Sequence, residues 1–314
     1  MLGRLMAIPF IVMFMFSSCK HGDTNGMCGN DDDSLVVLFT GDVMLDRGVR
    51  NAINVHGFTW LFDSVSPMFK QSDAVVINLE CPFADTLMPV SKQFVFHADT
   101  RWAKALRQSG VTHASMANNH SMDQGVSGIR STFSTLHGAG IVPMGCGKDE
   151  EEMLAPTIIE KNGIRMAVFS AVLFPIENWL PVHDGQLTVE NTNVTVLARA
   201  IKKWHSQCPN DVIVAYLHWG IEYQTTPAVK QRMAASNLLG VGASAVIGHH
   251  PHVVQKMEMQ DGKPVFYSLG NFVFDQRHPL SSKAQMARLV VRHSKVDVSS
   301  IDVNIKMCKP VIAR

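Results

Sequence analysis

A layered α/β sandwich, with mixed sheets flanked by helices, is what the sequence predicts. Short continuous apolar runs, such as Leu35-Val36-Val37-Leu38-Phe39, have the pattern of strands buried on both faces. Segments with helical spacing of apolar residues separate several of these runs. The last third changes character, with turn signals and closely spaced strands, so the sheets are expected to be mixed instead of purely parallel.

The chain begins outside that fold. Arg4 precedes an apolar run from Ala7 to Phe16 that ends in Ser17-Ser18-Cys19. The run is too short to span a bilayer and has the form of a signal-peptide hydrophobic region. Small residues directly before a Cys resemble the cleavage box of bacterial lipoproteins, where Cys19 would become the lipidated first residue. Residues 1–19 are thus expected to be a lipoprotein-type signal peptide. The Gly-, Asn- and Asp-rich stretch 20–34 is expected to be a flexible tether. Residues 35–314 are expected to form one domain, exported to the cell envelope and held at the membrane through Cys19.

The folded part opens with the 35–39 strand, which ends in Thr40-Gly41-Asp42. The same grammar recurs downstream. Ala74 to Ile77 runs into Asn78-Leu79-Glu80, and Val111 to Met116 into Ala117-Asn118-Asn119-His120. Val212 to Leu217 runs into His218-Trp219-Gly220, and Ala245 to Ile247 into Gly248-His249-His250-Pro251-His252. Helical spacing covers Trp60 to Phe69, Trp102 to Leu106 (closed by Gly110), Ile129 to Leu136 (closed by Gly138) and Val194 to Trp204. Glycine just past each apolar face is a C-cap signal. A hairpin is expected around Asn162-Gly163, and a second from Val254 to Tyr267 through the 260–263 turn. Phe272 to Phe274, Ala287 to Arg292 and Val296 to Val303 complete the expected strands.

Composition narrows the function classes. The 314 residues are 46% hydrophobic and 18% charged, enough apolar material for a sizeable core, and the formal net charge is +1. No global field points to nucleic acid, and no basic stripe is present. Six Cys are scattered without a CxxC pair, which argues against both a zinc knuckle and a disulfide framework.

Ligands of open α/β sheets gather at the carboxyl ends of strands. Those ends carry Asp42, Glu80, Asn119 with His120, His218, and His250 with His252. This mixed oxygen and nitrogen set suits Mn, Fe, Zn or Co better than calcium. Two such ions about 3.5–4 Å apart would clamp an oxyanion and acidify a shared water. Each motif alone has a structural explanation: Asp42 could cap a helix, Asn118-Asn119 could make a turn, and His218 could pack at a strand end. Their joint recurrence at strand ends is what points to a metal centre.

The motifs Gly41-Asp42-Val43-Met44-Leu45-Asp46-Arg47, Asn78-Leu79-Glu80, Asn118-Asn119-His120-Ser121-Met122-Asp123, His218-Trp219-Gly220-Ile221-Glu222-Tyr223, Gly248-His249-His250-Pro251-His252 and Gly270-Asn271-Phe272-Val273-Phe274-Asp275 resemble the CapA family. This capsule or poly-γ-glutamate synthesis family belongs with the calcineurin-like metallophosphoesterases, and the resemblance runs from about residue 35 to 276. It implies a metallophosphatase-like α/β sandwich holding one or two divalent ions, Mn, Fe or Zn. By that resemblance Asp42 and His252 would hold the first ion, Glu80 would bridge, and Asn119, His218 and His250 would hold the second. His120 would protonate a leaving group and Asp123 would orient it. Met44 stands where the wider superfamily places a ligating His, so the first site is thinly supplied. Arg47 would offer positive charge to a substrate phosphate or carboxylate. Glu222 and Tyr223 would line the substrate path, and Asn271 and Asp275 would order the loop beneath it.

The expected function is an exported, membrane-anchored capsule or poly-γ-glutamate biosynthesis protein with a metal-dependent, phosphoesterase-type hydrolase site. Its substrate would be anionic capsule polymer or a phosphoester, its partners other capsule-synthesis proteins. The alternative is a non-catalytic capsule-assembly or polymer-binding component; a nucleotidase is a third reading.

Overall fold

The computed structural model describes residues 33–173, 185–189, 192–276, 278–293 and 295–313. The expected signal peptide, Cys19 and nearly all of the tether lie outside the described residues. Among the described residues no helix is long and apolar enough to cross a membrane, and no disulfide joins the cysteines.

Two sheets face each other. In the first, β1 (Leu35–Val43), β2 (Ala74–Leu79), β3 (His113–Ser115) and β4 (Val142–Met144) run parallel. In the second, the hairpin β5 (Thr157–Lys161) and β6 (Ile164–Val172) continues in parallel through β7 (Val212–His218) and β8 (Ala245–His249). After β9 (Val254–Gln255), the hairpin β10 (Glu258–Gln260) and β11 (Lys263–Phe266) closes the second sheet beside β8. β12 (Ser268–Leu269) pairs with β9, and β13 (Asn271–Val273) lies parallel to β1. Finally β14 (Lys283–Arg292), β15 (Lys295–Lys306) and β16 (Lys309–Ile312) extend the first sheet antiparallel from β1.

The two-residue period of each strand sorts its side chains between layers. Val37 and Phe39 of β1, Met166 and Val168 of β6, and Val214 and Tyr216 of β7 fill the core between the sheets. Leu38 faces the other way, onto α1 (Arg47–His56), α2 (Phe58–Phe62), α3 (Ser66–Lys70), α4 (Trp102–Gln108) and α5 (Gly125–Gly138). The short α6 (Glu150–Leu154) follows β4, and α7 (Val194–Gln207) and α8 (Val229–Gly240) cover the outer face of the second sheet against Phe169, Ile213 and Val246. The expected sandwich of mixed sheets flanked by helices is what these layers form.

Several details depart from expectation. The 60–69 stretch is two short helices, because Pro67 sits in the first turn of α3 and cannot continue α2. The second hairpin turns on Asp261 and Gly262, and Val254–Gln255 leaves it to pair with β12. α5 runs through Gly138, and the left-handed residue that follows it is Gly140, at φ 76°. α8 buries Gln231 and Ala235 beside Leu238 and Leu239, so its inner face carries too little apolar contrast to stand out.

Candidate metal centre

The carboxyl ends of β1, β2, β7 and β8, with the turn after β3, converge on one buried cluster. Two close approaches make the convergence possible. A Cβ on Gly41 would fall 2.0 Å from the Gly270 carbonyl oxygen, so only glycine lets β1 lie against the turn entering β13. A Cβ on Gly248 would fall 2.2 Å from both Trp219 Nε1 and the Tyr267 oxygen, just before the histidine turn.

Glu80 follows β2 and is fully buried, its backbone amide donating to the Val43 carbonyl at 2.8 Å. Neither carboxylate oxygen accepts a hydrogen bond. Burial, then the neighbouring Asp42 charge, raises its pKa well above the usual carboxylate value. The cationic or metal-seeking nitrogens nearest to it are His252 Nε2 at 3.6 Å and His218 Nε2 at 4.0 Å. A buried carboxylate without donors is costly, and a divalent cation would satisfy both oxygens. Glu80, His250 and His252 each offer a ligand atom, all within 4.8 Å of one another. The donor set therefore fits a metal ion.

The surrounding imidazoles are prepared for that role. Burial holds His250 at about 3 and pushes His218 well below its ordinary value, so both are neutral at pH 7, as a metal ligand must be. His218 Nε2 lies 3.0 Å from Asn119 Oδ1, and the His218 and His250 ring centres are 4.9 Å apart. His252 differs: burial opposes its charge, yet the Glu80 and Asp42 carboxylates prevail and raise it to about 9. His250 and His252 adopt left-handed backbone, φ 96° and 58°, a strained turn of the kind that functional sites retain.

Asp42 Oδ1 is surrounded by donors, whereas its buried Oδ2, like both Glu80 oxygens, accepts no hydrogen bond. Asn78 Nδ2 donates to its Oδ1 at 2.8 Å, His249 Nδ1 stands 3.1 Å from the same oxygen, and His252 Nδ1 stands 3.2 Å from Oδ2. Although burial works against ionisation, these histidine contacts hold its pKa well below the ordinary value. Met44 is fully buried in the core beneath α1 to α5, and its sulfur accepts from the Asp46 amide at 3.0 Å.

One wall of the cluster carries the His120–Asp123 pair. Asn118 fastens this wall, donating to the Asn78 side chain at 3.1 Å and to the Leu79 carbonyl at 2.8 Å while accepting from the His120 amide. His120 Nδ1 lies 2.7 Å from Asp123 Oδ2, and the ring stacks on Phe96 at 4.3 Å. Burial lowers His120 to about 4 against the opposing pull of Asp123. Lys92 reaches in from the 84–97 loop and donates to the Asn119 carbonyl at 2.7 Å and to Asp123 Oδ1 at 3.1 Å. Arg47 stands at the rim, ion-paired with Asp275 and lying 4.7 Å over the Phe96 ring. Asp275 also accepts from the Gly48 amide, so the pair ties the start of α1 to the end of the 271–275 segment. Tyr223 accepts from Gln276 and sits 6.4 Å from the His252 ring, while Glu222 is exposed.

All six expected ligands and the His120–Asp123 pair thus lie in or against one cluster. Sequence reasoning did not single out Asn78, Asn118, His249 or Lys92. Strand periodicity places Asn78 on the same side as Glu80 and could have found it; Lys92 lies in an irregular loop with no such signal.

The sequence matches a family described as bacterial capsule synthesis protein PGA_cap over residues 36–276. It is 29% identical over 319 aligned positions to the PGA biosynthesis protein CapA of Bacillus subtilis, spanning 98% of this chain and 82% of that protein. It is 28% identical over 320 positions to the capsule biosynthesis protein CapA of Bacillus anthracis, spanning 98% and 77%. Among solved structures, a putative 5'-nucleotidase from Staphylococcus aureus superposes with TM-score 0.55 at 14% identity, covering 89% of this chain and 54% of that one. The NAD nucleotidase NadN of Haemophilus influenzae does so with TM-score 0.51 at 12% identity, covering 86% and 56%. These likenesses make the fold metallophosphatase-like.

Proposed function

The chain belongs to the family of bacterial capsule synthesis proteins, and from that premise we propose that it is a metal-dependent hydrolase of the cell envelope acting on an anionic substrate of the capsule pathway, poly-γ-glutamate or a phosphoester. The observation that carries this reading is the Glu80 carboxylate, buried with both oxygens unpartnered and faced by His218 and His252. A divalent ion bound there supplies Lewis-acid polarisation and a water acidic enough to attack near neutral pH.

The residues divide the remaining work. Glu80, His250 and His252 would hold the ion, and Asn119 and His218, which contact each other beside them, offer further donors. His120 is neutral at pH 7, and its Nδ1 proton lies on Asp123, which leaves Nε2 as a proton acceptor. It would become the acid for a leaving group only after Nε2 has taken up a proton from the attacking water. Lys92 and Arg47 place positive charge on the same side, suited to a phosphate or carboxylate. Export and anchoring through Cys19 belong to this reading and rest on the apolar run and the Ser17-Ser18-Cys19 box.

The test pairs metal content with turnover. Purified protein should retain divalent metal and hydrolyse a phosphodiester or poly-γ-glutamate, and His252→Ala should lose both. Protein that holds no metal and cleaves neither substrate sinks the proposal. One observation favours the second reading, a non-catalytic assembly component: Met44, at the position of a superfamily ligand, is committed to the core. Retained metal and polymer binding without turnover would select it.

A further inference from the structure

One buried phenyl ring carries both a cation and an imidazole. The Arg47 guanidinium lies 4.7 Å from the centre of the Phe96 ring, and the His120 ring centre lies 4.3 Å from it. The two separations laid end to end put Arg47 Cζ within about 9 Å of the His120 ring centre. Phe96 is buried and fixed through its backbone, since its amide donates to Asp123 Oδ2 at 2.8 Å and its carbonyl accepts from Gln124 Nε2 at 3.1 Å. The ring is thus a spacer between a positive charge at the rim and the imidazole inside.

Arg47 is held by more than its stacking. Its backbone is left-handed, φ 49°, an uncommon conformation for a residue with a side chain. Asp46 fixes that turn, because its carboxylate accepts from the Arg47 amide at 2.8 Å. Asp275 accepts from the Gly48 amide at 3.0 Å and so stays beside Arg47 Nη2. Among the described residues Asp275 engages Nη2 alone, and a guanidinium has five N–H donors. The Arg47 side chain is 37% exposed, which leaves donors on Nη1 and Nε for a ligand arriving from solvent.

We propose that Arg47 determines specificity for the leaving group, by binding a carboxylate adjacent to the atom that His120 would protonate, with Phe96 as the positioning residue that sets the spacing. This rests on the hydrolase reading above. A hydrogen bond at each end reaches about 3 Å, so an α-amino acid or α-hydroxy acid leaving group can make both contacts at once. Its carboxylate stands two bonds from the nitrogen or oxygen that departs. In poly-γ-glutamate every internal amide releases an amine of this kind, whereas a plain alkyl or aryl leaving group lacks the second contact. In that hydrolysis the hydroxyl of water goes to the acyl or phosphoryl centre and the bond to the leaving atom breaks. The leaving atom takes its proton from His120.

Matched leaving groups with and without that charge decide the matter. The intact protein, supplied with Mn2+, is given γ-glutamylglycine against γ-glutamylglycinamide, and 2-phosphoglycolate against 2-phosphoglycolamide. In whichever pair is hydrolysed, the carboxylate member should have a kcat/KM about 10–100-fold higher, the range for hydrogen bonds to a charged group. Arg47→Ala should bring that ratio near one, and Arg47→Lys should restore part of it. Phe96→Leu should shrink the ratio too, and an unchanged ratio there would remove Phe96 from the assignment. If Arg47 were only a staple for the 271–275 segment, Arg47→Ala would slow both members of a pair equally. That result, or a ratio near one in the unaltered chain, overturns the proposal and leaves the hydrolase reading standing. Hydrolysis of none of the four overturns it as well, and the hydrolase reading then stands or falls with turnover of poly-γ-glutamate and a phosphodiester. Because the unaltered chain is itself measured, a variant that fails to fold does not blunt the test.

Discussion

In the proposed reaction the His120–Asp123 pair would handle protons while Glu80, His250 and His252 hold the metal. The ring is held by Asp123 on one side and by Phe96 on its face, and Lys92 locks Asp123 from behind. His120→Ala is therefore expected to lower kcat by about 10^2–10^4-fold, the range for a general acid–base group, with metal content unchanged by elemental analysis. Asp123→Asn should cost about 10–100-fold, because it loosens the ring without deleting it. Equal metal loss in both variants would place His120 in the ligand set instead. At this scale the sequence exposed the donors themselves, since Asp42, Glu80, His218, His250 and His252 all end apolar strands. It did not expose their supports. His249 sits beside a stronger motif residue, and Asn118 acts through side-chain bonds to Asn78 and Leu79 that no local spacing announces.

Among the elements, the strands were the most legible, because β1, β2, β7 and β8 are buried on both faces and so carry unbroken apolar runs. α8 was not, since its buried face includes Gln231, whose amide donates to Gln255. The meeting of β8 with its histidine turn depends on Gly248, where a side chain would collide with Trp219 and the Tyr267 backbone. Gly248→Ala should cost about 1–3 kcal/mol, the usual penalty of overpacking, read as a lower urea midpoint. It should also weaken metal binding, because His249 and His250 follow directly. An unchanged midpoint and unchanged affinity would mean that the strand shifts freely, contrary to the packing.

Taken whole, the sandwich buries several histidines in neutral form, and acid should therefore unfold it. His113 on β3 is the clearest case, because it is not among the residues of the Glu80–His252 cluster. Burial, then the Arg107 charge, lowers it from 6.5 to about 4. Between those values the unfolded chain binds the proton and the folded chain does not. The stability is complete above pH 6.5 and is lost as pH falls toward 4, about 3 kcal/mol from this one group. Urea midpoints of metal-free protein should drop between about pH 7 and pH 5, and His113→Asn should flatten that drop; an equal drop in the variant would assign it elsewhere. At the other end of the chain, Cys19→Ser should move the protein from the membrane to the soluble fraction, and membrane retention of that variant would rule out the lipid anchor. The pairing of β1 with β13 has a further consequence in time. Asp42 and His249 are 207 residues apart, and Asn271 comes later still. A chain emerging N-terminus first cannot complete the centre until its last quarter arrives, and such distant pairings form slowly. If the protein crosses the membrane unfolded, it cannot load its ion during synthesis. The choice of any metal would then be made by what the outer compartment holds at the moment the final strands dock.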